Sequence, residues 1–384
     1  MRLLFTTRPT SGHLFPLLPL AEAARRAGHE VAFASAPSTL LQARSLGFDG
    51  FPAGREPLNR EELSERFSEW TSLQPVSREW NFTRWFAGYE APERAPDLLA
   101  IGKDWHPDLI VNDFAEPATP AVAAKLGIPS VTSGFGVPRP DIAEIIVPWV
   151  EPTWRAMDLD VPPHAGMFDH LFLDPCPPSM RPPGVHVPRT QPLRPGAGPP
   201  ARPDDASKLA QLPPGQVVLV TFGTIFGRSA ELYRTVVDSV RNLGRTVVVT
   251  LGPLVAPSEM GSMPPNVFCF DFLGQAAVLP RCDLVITHGG SGSTFGPLAH
   301  GISLLVIPQG ADQFDNAAAV ARAGAGLVIQ PAEFNRETVE AKARDLLNGS
   351  CRPGAKRVAE ELAAMPGPDA VIPVLERLAR EART

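Results

Sequence analysis

Three features of the 384-residue chain predict an α/β protein made of two doubly wound parallel sheets. Short apolar runs alternate with helix-compatible segments through both halves, polar residues recur at the C-terminal tips of those runs, and a proline-rich stretch divides the halves. The length allows two or three domains, each large enough for its own core.

Bulk properties narrow the class. Apolar residues make up 44% and charged residues 20%, as in ordinary globular proteins. Lys plus Arg total 35 against 41 for Asp plus Glu, a net charge of −6, so no basic excess points to nucleic acid or an anionic membrane. Cys176, Cys269, Cys282 and Cys351 include no C-x-x-C pair and read as reduced packing residues. The N-terminus turns polar by Thr6, too soon for a signal-peptide core. No apolar run approaches the roughly 20 residues of a spanning helix, so the expected compartment is the cytoplasm.

The first half opens with a strand over Arg2 to Thr7, a turn Thr10-Ser11-Gly12-His13, and a helix in which Leu17, Leu20, Ala24 and Ala27 recur at helical spacing. His29 to Ala34 is the next strand, completing a βαβ opening. Leu109 to Asn112, Ala118 to Leu126 and Ser130 to Thr132 continue the alternation toward a parallel sheet. His13 therefore sits in the first strand-to-helix turn, and Asp113 at the tip of a later strand. Both open toward one edge. A neutral His whose tautomer is fixed by a carboxylate is a common general base, although a His in such a turn is more often structural and an Asp there is also an ordinary helix N-cap.

Residues 70–89 hold three of the six tryptophans, Trp70, Trp80 and Trp85, together with Phe82, Phe86 and Tyr89. An amphipathic helix that buries most of these rings accounts for the pattern. A sharper reading makes Trp70, Trp80, Trp85 and Phe86 the wall of an apolar acceptor pocket, joined by Phe135 after another strand. From Pro175 to Pro214 the prolines are too dense for regular hydrogen bonding, which predicts an extended connector.

The second half repeats the alternation: strand Gln216 to Thr221, turn Phe222-Gly223-Thr224, helix Glu231 to Leu243, strand Arg245 to Leu251, and strand Val267 to Phe272. An apolar run at Leu284 to Ile286 then delivers His288-Gly289-Gly290-Ser291-Gly292-Ser293-Thr294 into a helix. Unpaired N–H groups and a positive dipole end make such a turn a phosphate site. It is neither a Walker A sequence nor G-x-G-x-x-G, and a tight turn with a Ser N-cap is the bland alternative. Ile302 to Ile307 is a further strand ending in Pro308-Gln309-Gly310-Ala311-Asp312-Gln313, where open sheets bind ligands. Expected domain limits are 1–205 and 206–368, with a helix in 369–384 a candidate to pack back on the first domain.

Gly12-His13 after strand one, HGGSGST from His288 and PQGADQFDN from Pro308 together resemble the family 1 glycosyltransferases, and most the actinobacterial enzymes that glycosylate antibiotics and other natural products. The similarity runs over essentially the whole chain, is strongest from Phe270 to Pro331, and is weakest in the aromatic stretch and the proline connector. It implies the GT-B architecture, two Rossmann-like doubly wound domains facing a central cleft. It also implies an inverting, metal-independent transfer of a sugar from a nucleotide diphosphate to a hydrophobic aglycone.

By the same resemblance His13 is the base and Asp113 orients it. Thr224, His288, Gly292, Ser293 and Thr294 hold the donor diphosphate, and Asp312 and Gln313 the sugar hydroxyls. Phe272, Leu273 and Gln275 take the nucleobase, while Gly12 and the aromatic rings named above meet the acceptor. Plant relatives carry Trp at the stacking position, where this chain has Phe272, and a ribose-gripping Glu eight residues after the motif His, where it has Gly296. A diol clamp is useless on a deoxyribose, so the expected donor is a dTDP-sugar. That donor is a co-substrate; no cofactor and no metal are expected, since no D-x-D occurs in a binding context. A homodimer is left open. Two other classes share part of the pattern: a nucleotide-sugar epimerase of the same fold, distinguished by turnover without acceptor, and a non-catalytic nucleotide-sugar-binding partner protein, distinguished by donor affinity without transfer.

Overall fold

The computed structural model describes residues 1–67, 77–196, 202–223 and 229–383, and its apolar runs form two separate, wholly parallel sheets. The chain divides into two units: Met1–Cys176 with Pro183–Arg194 and Met365–Thr384, and Pro177–Pro182 with Pro195–Ala364.

In the first unit the strands are β1 (Arg2–Thr6), β2 (Glu30–Ser35), β3 (Asp49–Pro52), β4 (Leu109–Asp113), β5 (Ser130–Ser133), β6 (Leu171–Asp174) and β7 (Thr190–Pro192), in the order β3-β2-β1-β4-β5-β6-β7. Strand order reverses between β1 and β4, which pair in register from Leu3↔Leu109 to Thr6↔Asn112. Loops leaving the carboxyl ends of two such strands diverge, and the gap they leave is where open sheets bind ligands. His13 and Asp113 stand at that point. The central strands are buried on both faces, so Leu3, Phe5, Leu109 and Val111 are fully enclosed. Each such side chain contributes about 1.5–3 kcal/mol.

The second unit repeats the plan with β8 (Val217–Thr221), β9 (Thr246–Thr250), β10 (Val267–Phe270), β11 (Cys282–Thr287), β12 (Leu304–Val306) and β13 (Gly326–Val328), in the order β10-β9-β8-β11-β12-β13. Its reversal lies between β8 and β11, paired at Thr221↔Thr287. The Gly-rich turn therefore leaves the sheet at the second reversal point. All four cysteines are free, and no helix of the described residues is long and apolar enough to cross a membrane.

Several sequence expectations need correction. Ala27 is exposed, because the helix Leu18–Arg26 ends there and Gly28 turns the chain away at φ 83°. The proline stretch is not wholly irregular: it carries β7 and a short helix, Asp205–Leu209. Pro192 is tolerated because β7 is an edge strand, where a missing N–H breaks no ladder. Strands β3, β6, β7 and β13, each of three or four residues, are too short to have shown a period. The aromatic stretch is helical but wide: Asn81–Glu90 winds as a π-helix, with Ala91 N–H donating to the Phe86 carbonyl five residues back. The helix Pro368–Glu381 belongs to the first unit, where Val371, Ile372, Leu375 and Ala379 share a core with Leu17, Leu20 and Ala24.

Candidate active site

In the first unit, β1 runs into Thr7-Arg8-Pro9-Thr10 and then one helical turn, Ser11–Leu14, that carries His13. Asp113 ends β4 and is 2% exposed. Its Oδ1 lies 3.2 Å from His13 Nδ1 and accepts the Ala115 N–H at 2.6 Å; its Oδ2 accepts the Arg8 N–H at 2.8 Å and the Thr7 hydroxyl at 3.0 Å. Burial alone would push this carboxyl up, but His13 and those N–H donors more than offset it and hold it below the usual carboxylate range. An ionised Asp113 accepts a hydrogen bond from Nδ1–H, leaving Nε2 as the basic atom. The His13 side chain is 16% exposed and Asp113 only 3%, so the imidazole reaches solvent while the carboxylate does not.

Beneath this pair lies an ionic cluster that no local pattern in the sequence revealed. Arg8 makes a bidentate pair with Glu90, Nε to Oε2 at 2.6 Å and Nη2 to Oε1 at 2.7 Å. Its guanidinium also sits 3.8 Å over the Phe86 ring and 4.8 Å over Trp85. Arg94 pairs with Glu116 at 2.5 Å and donates to the Thr7 carbonyl at 2.9 Å. Burial pushes the Glu116 carboxyl up, and Arg94 offsets part of that. Thus the loop that holds Asp113 is itself bolted to the aromatic helix.

Of the expected acceptor residues, Phe135 meets the imidazole directly, its ring edge-on to His13 at 5.1 Å. Gly12 is exposed with nothing within 4 Å of where a Cβ would stand. Trp85 is half-buried. Phe86 is a core residue, 6% exposed, packed on Phe82, and Trp80 is 9% exposed with its ring against Phe67. Their rings are used in packing, as the amphipathic-helix reading expects. Trp70 lies outside the described residues.

The second unit holds the expected donor residues. The helix Ser291–Ala299 is capped by Gly290 with no side-chain cap, so its first N–H groups are left for an anion. Gly290, Ser291 and Gly292 are half-exposed, but Ser293 is 6% exposed and Thr294 fully buried. Ser293 is engaged with the Thr287 hydroxyl at 2.8 Å and the Gly290 carbonyl at 3.1 Å. The Thr294 hydroxyl points inward, with no hydrogen-bond partner among the described residues. Open access to this turn is therefore through Gly290–Gly292.

His288 is buried between two glycines: a Cβ on Gly223 would fall 2.8 Å from its ring, and one on Gly290 2.5 Å from Nε2. Burial pushes its pKa down to about 4, against a weaker opposing hydrogen bond to the Thr221 backbone. It is a neutral imidazole, a hydrogen-bonding group rather than a cation. Thr224 lies outside the described residues.

After β12, Asp312 and Gln313 open the helix Gln313–Arg322. Gln313 is 2% exposed and spends its Oε1 on the Gln309 N–H at 2.8 Å and the Gly310 N–H at 3.1 Å, organising its own loop. Asp312 is half-buried and accepts from Asn316 Nδ2 at 3.1 Å and from the Ser291 hydroxyl at 3.4 Å. At the expected nucleobase platform, Phe272 carries the Arg202 guanidinium 3.4 Å from its ring centroid, and its carbonyl accepts from Lys208 at 2.7 Å. Asp205 ties Arg202 N–H and Gly274 N–H together at 2.7 and 3.0 Å. Leu273 is 3% exposed, and Gln275 Oε1 is buried without a hydrogen-bond partner among the described residues. Arg202, Asp205 and Lys208 sit in the proline stretch, where composition masked them.

Comparison with known proteins gives a consistent picture. Residues 234–378 match the model of the erythromycin biosynthesis protein CIII-like C-terminal domain. The chain is 32% identical to the L-demethylnoviosyl transferase of Streptomyces niveus, over 100% of this chain and 99% of that one. Among solved structures it is similar to spinosyn rhamnosyltransferase SpnG, with a TM-score of 0.82 and 25% identity over 98% of this chain and 100% of the other. It is similar also to glycosyltransferase VinC in complex with dTDP, with a TM-score of 0.80 and 25% identity over 99% and 100%.

Proposed function

Because the chain belongs to the antibiotic glycosyltransferases that include the L-demethylnoviosyl transferase, with a CIII-like C-terminal domain and the two Rossmann-like sheets of the GT-B fold, we propose that it transfers a deoxysugar from a dTDP donor to a hydrophobic aglycone with inversion at the anomeric carbon. The observation that carries this reading is the His13–Asp113 pair at 3.2 Å, with the carboxylate buried and the imidazole reaching solvent beside Phe135.

In this reading His13 Nε2 takes the proton of the acceptor hydroxyl as its oxygen bonds to the anomeric carbon. The bond from that carbon to the diphosphate oxygen breaks, and dTDP leaves with the electron pair. Asp113 stabilises the imidazolium that results. Charge gathering on the leaving oxygens meets the open N–H groups and dipole at the start of the helix Ser291–Ala299, with neutral His288 holding the turn. Asp312 takes sugar hydroxyls, and the nucleobase lies against Phe272. Gly296, buried where plant relatives carry a ribose-gripping Glu, and the dTDP held by VinC both support a thymidine nucleotide.

The test is to incubate the protein with matched dTDP- and UDP-sugars and a panel of macrocyclic and aromatic aglycones, and to read products by mass. A glycosylated aglycone formed from dTDP-sugar in preference to UDP-sugar is expected. A clear win for UDP overturns the donor assignment, and sugar epimerised without acceptor overturns the transfer.

A further inference from the structure

Asp312 stands at the N-cap of the helix Gln313–Arg322, the position where an Asp ordinarily accepts an N–H from the helix's own first turn, yet its side chain makes no such cap. The carboxylate turns instead to Asn316 Nδ2 and the Ser291 hydroxyl. Asn316 is fully buried, and the same Nδ2 donates to the Gly289 carbonyl at 2.9 Å. One amide group thus joins the Gly-rich turn after β11 to the carboxylate after β12. The approach is close on the turn side as well, since a Cβ on Gly289 would fall 3.2 Å from the Gln313 carbonyl. Ala311, just before Asp312, is held at φ 53°, a left-handed conformation unusual for alanine. The left-handed Ala311 marks a constrained loop, and Asn316 ties the carboxylate beside it to the Gly-rich turn.

We propose that Asn316 is a positioning residue that fixes the Asp312 carboxylate relative to the diphosphate turn, and thereby sets which sugar configurations are transferred. The proposal rests on the reading of this unit as the donor site. A nucleoside diphosphate without sugar needs only the turn and the nucleobase platform, so its affinity does not depend on this hold. A sugar nucleotide must satisfy both ends at once. Displacing the carboxylate by even an ångström then costs about 10²-fold in turnover while leaving dTDP binding intact.

The experiment compares wild type, Asn316→Asp and Asp312→Asn. The Asp at 316 keeps the shape but loses the donating NH2 and repels Asp312. Thermal midpoint, dTDP affinity by calorimetry, and kcat and KM for a pair of donor sugars epimeric at one carbon are measured. Expected for Asn316→Asp are dTDP affinity within about threefold of wild type, kcat lowered by about 10²-fold, and the preference between the epimers compressed. Unchanged kcat and preference overturn the proposal, as does dTDP affinity falling in parallel with kcat, which would mark a merely structural role. Should that variant not fold, Asn316→Thr, which keeps one donor, is read in the same way. If a folded Asp312→Asn transfers sugar as well as wild type, the donor-site reading itself falls; if it is impaired and Asn316→Asp is not, only the present proposal falls.

Discussion

Asp113 faces His13 with one oxygen and the β1 exit loop with the other. Oδ1 lies 3.2 Å from His13 Nδ1, while Oδ2 accepts the Arg8 N–H at 2.8 Å and the Thr7 hydroxyl at 3.0 Å. The carboxylate can neither rotate nor take a proton without breaking a bond that positions it. The ring it orients is therefore held in one tautomer with Nε2 bare.

His13→Ala should lower kcat by about 10²–10⁴-fold, the usual contribution of a general base. Calorimetric affinity for dTDP should stay within about threefold, since the donor residues of the proposed reading belong to the other unit. A mutant that keeps near-full turnover removes His13 from the role.

Asp113→Asn should lower kcat by on the order of 10²-fold or more through loss of the tautomer lock. It also has a stability signature. Because the folded carboxyl titrates below its unfolded value of about 3.9, its contribution is fully present above that pH and is lost as pH falls through the folded value. Urea midpoints from pH 6 downward should show a shallower acid limb in the Asn variant; an unchanged limb would contradict this.

His288 makes a separate prediction at higher pH. Its folded pKa of about 4 lies below the ordinary 6.5, so between those values the unfolded chain binds a proton that the native state refuses. Stability is complete above about pH 6.5 and declines as pH falls toward 4, by on the order of 3 kcal/mol. Replacing His288 with Gln should flatten that window.

Arg8 and Glu90 have side chains only 5% and 11% exposed, so removing one strands the other's charge. Glu90→Ala should cost about 3–5 kcal/mol, whereas replacing both with Met and Leu should cost less than the single change. Denaturant unfolding of both variants decides it, and a double mutant worse than the single would sink the claim.

Gly290→Ala would place a Cβ 2.5 Å from His288 Nε2. The ring or the turn must shift, at about 1–3 kcal/mol, and dTDP affinity should fall at least about tenfold; unchanged affinity would show the ring is free to move.

Much of the candidate site in each unit was legible because its parts sit where strands end. Apolar runs and turn residues located the tips of β1, β4, β11 and β12, and with them His13, Asp113, His288 and Asp312. What the pattern could not supply was depth. Thr294 is spelled like a ligand but faces the core, because it is the fourth residue of its helix, on the side turned to the sheet. Arg8 and Glu90 are 82 positions apart and each reads as a surface charge until the π-helix brings them together. Gln313 looked like a sugar ligand, but folding spends its carbonyl oxygen on two backbone N–H groups. Side-chain direction comes from packing between distant segments, which spacing along the chain does not encode.

The helix Pro368–Glu381 has a consequence for how this protein is made. Its Val371, Ile372 and Leu375 complete a core begun by Leu3, Phe5 and Leu17, and Arg26 reaches Asp369 at 2.8 Å. On the ribosome, this helix emerges only after the second unit, so the core it completes stays unfinished until then. Ribosome-bound chains stopped before residue 368 should therefore leave the apolar side chains that this helix covers open to chaperones.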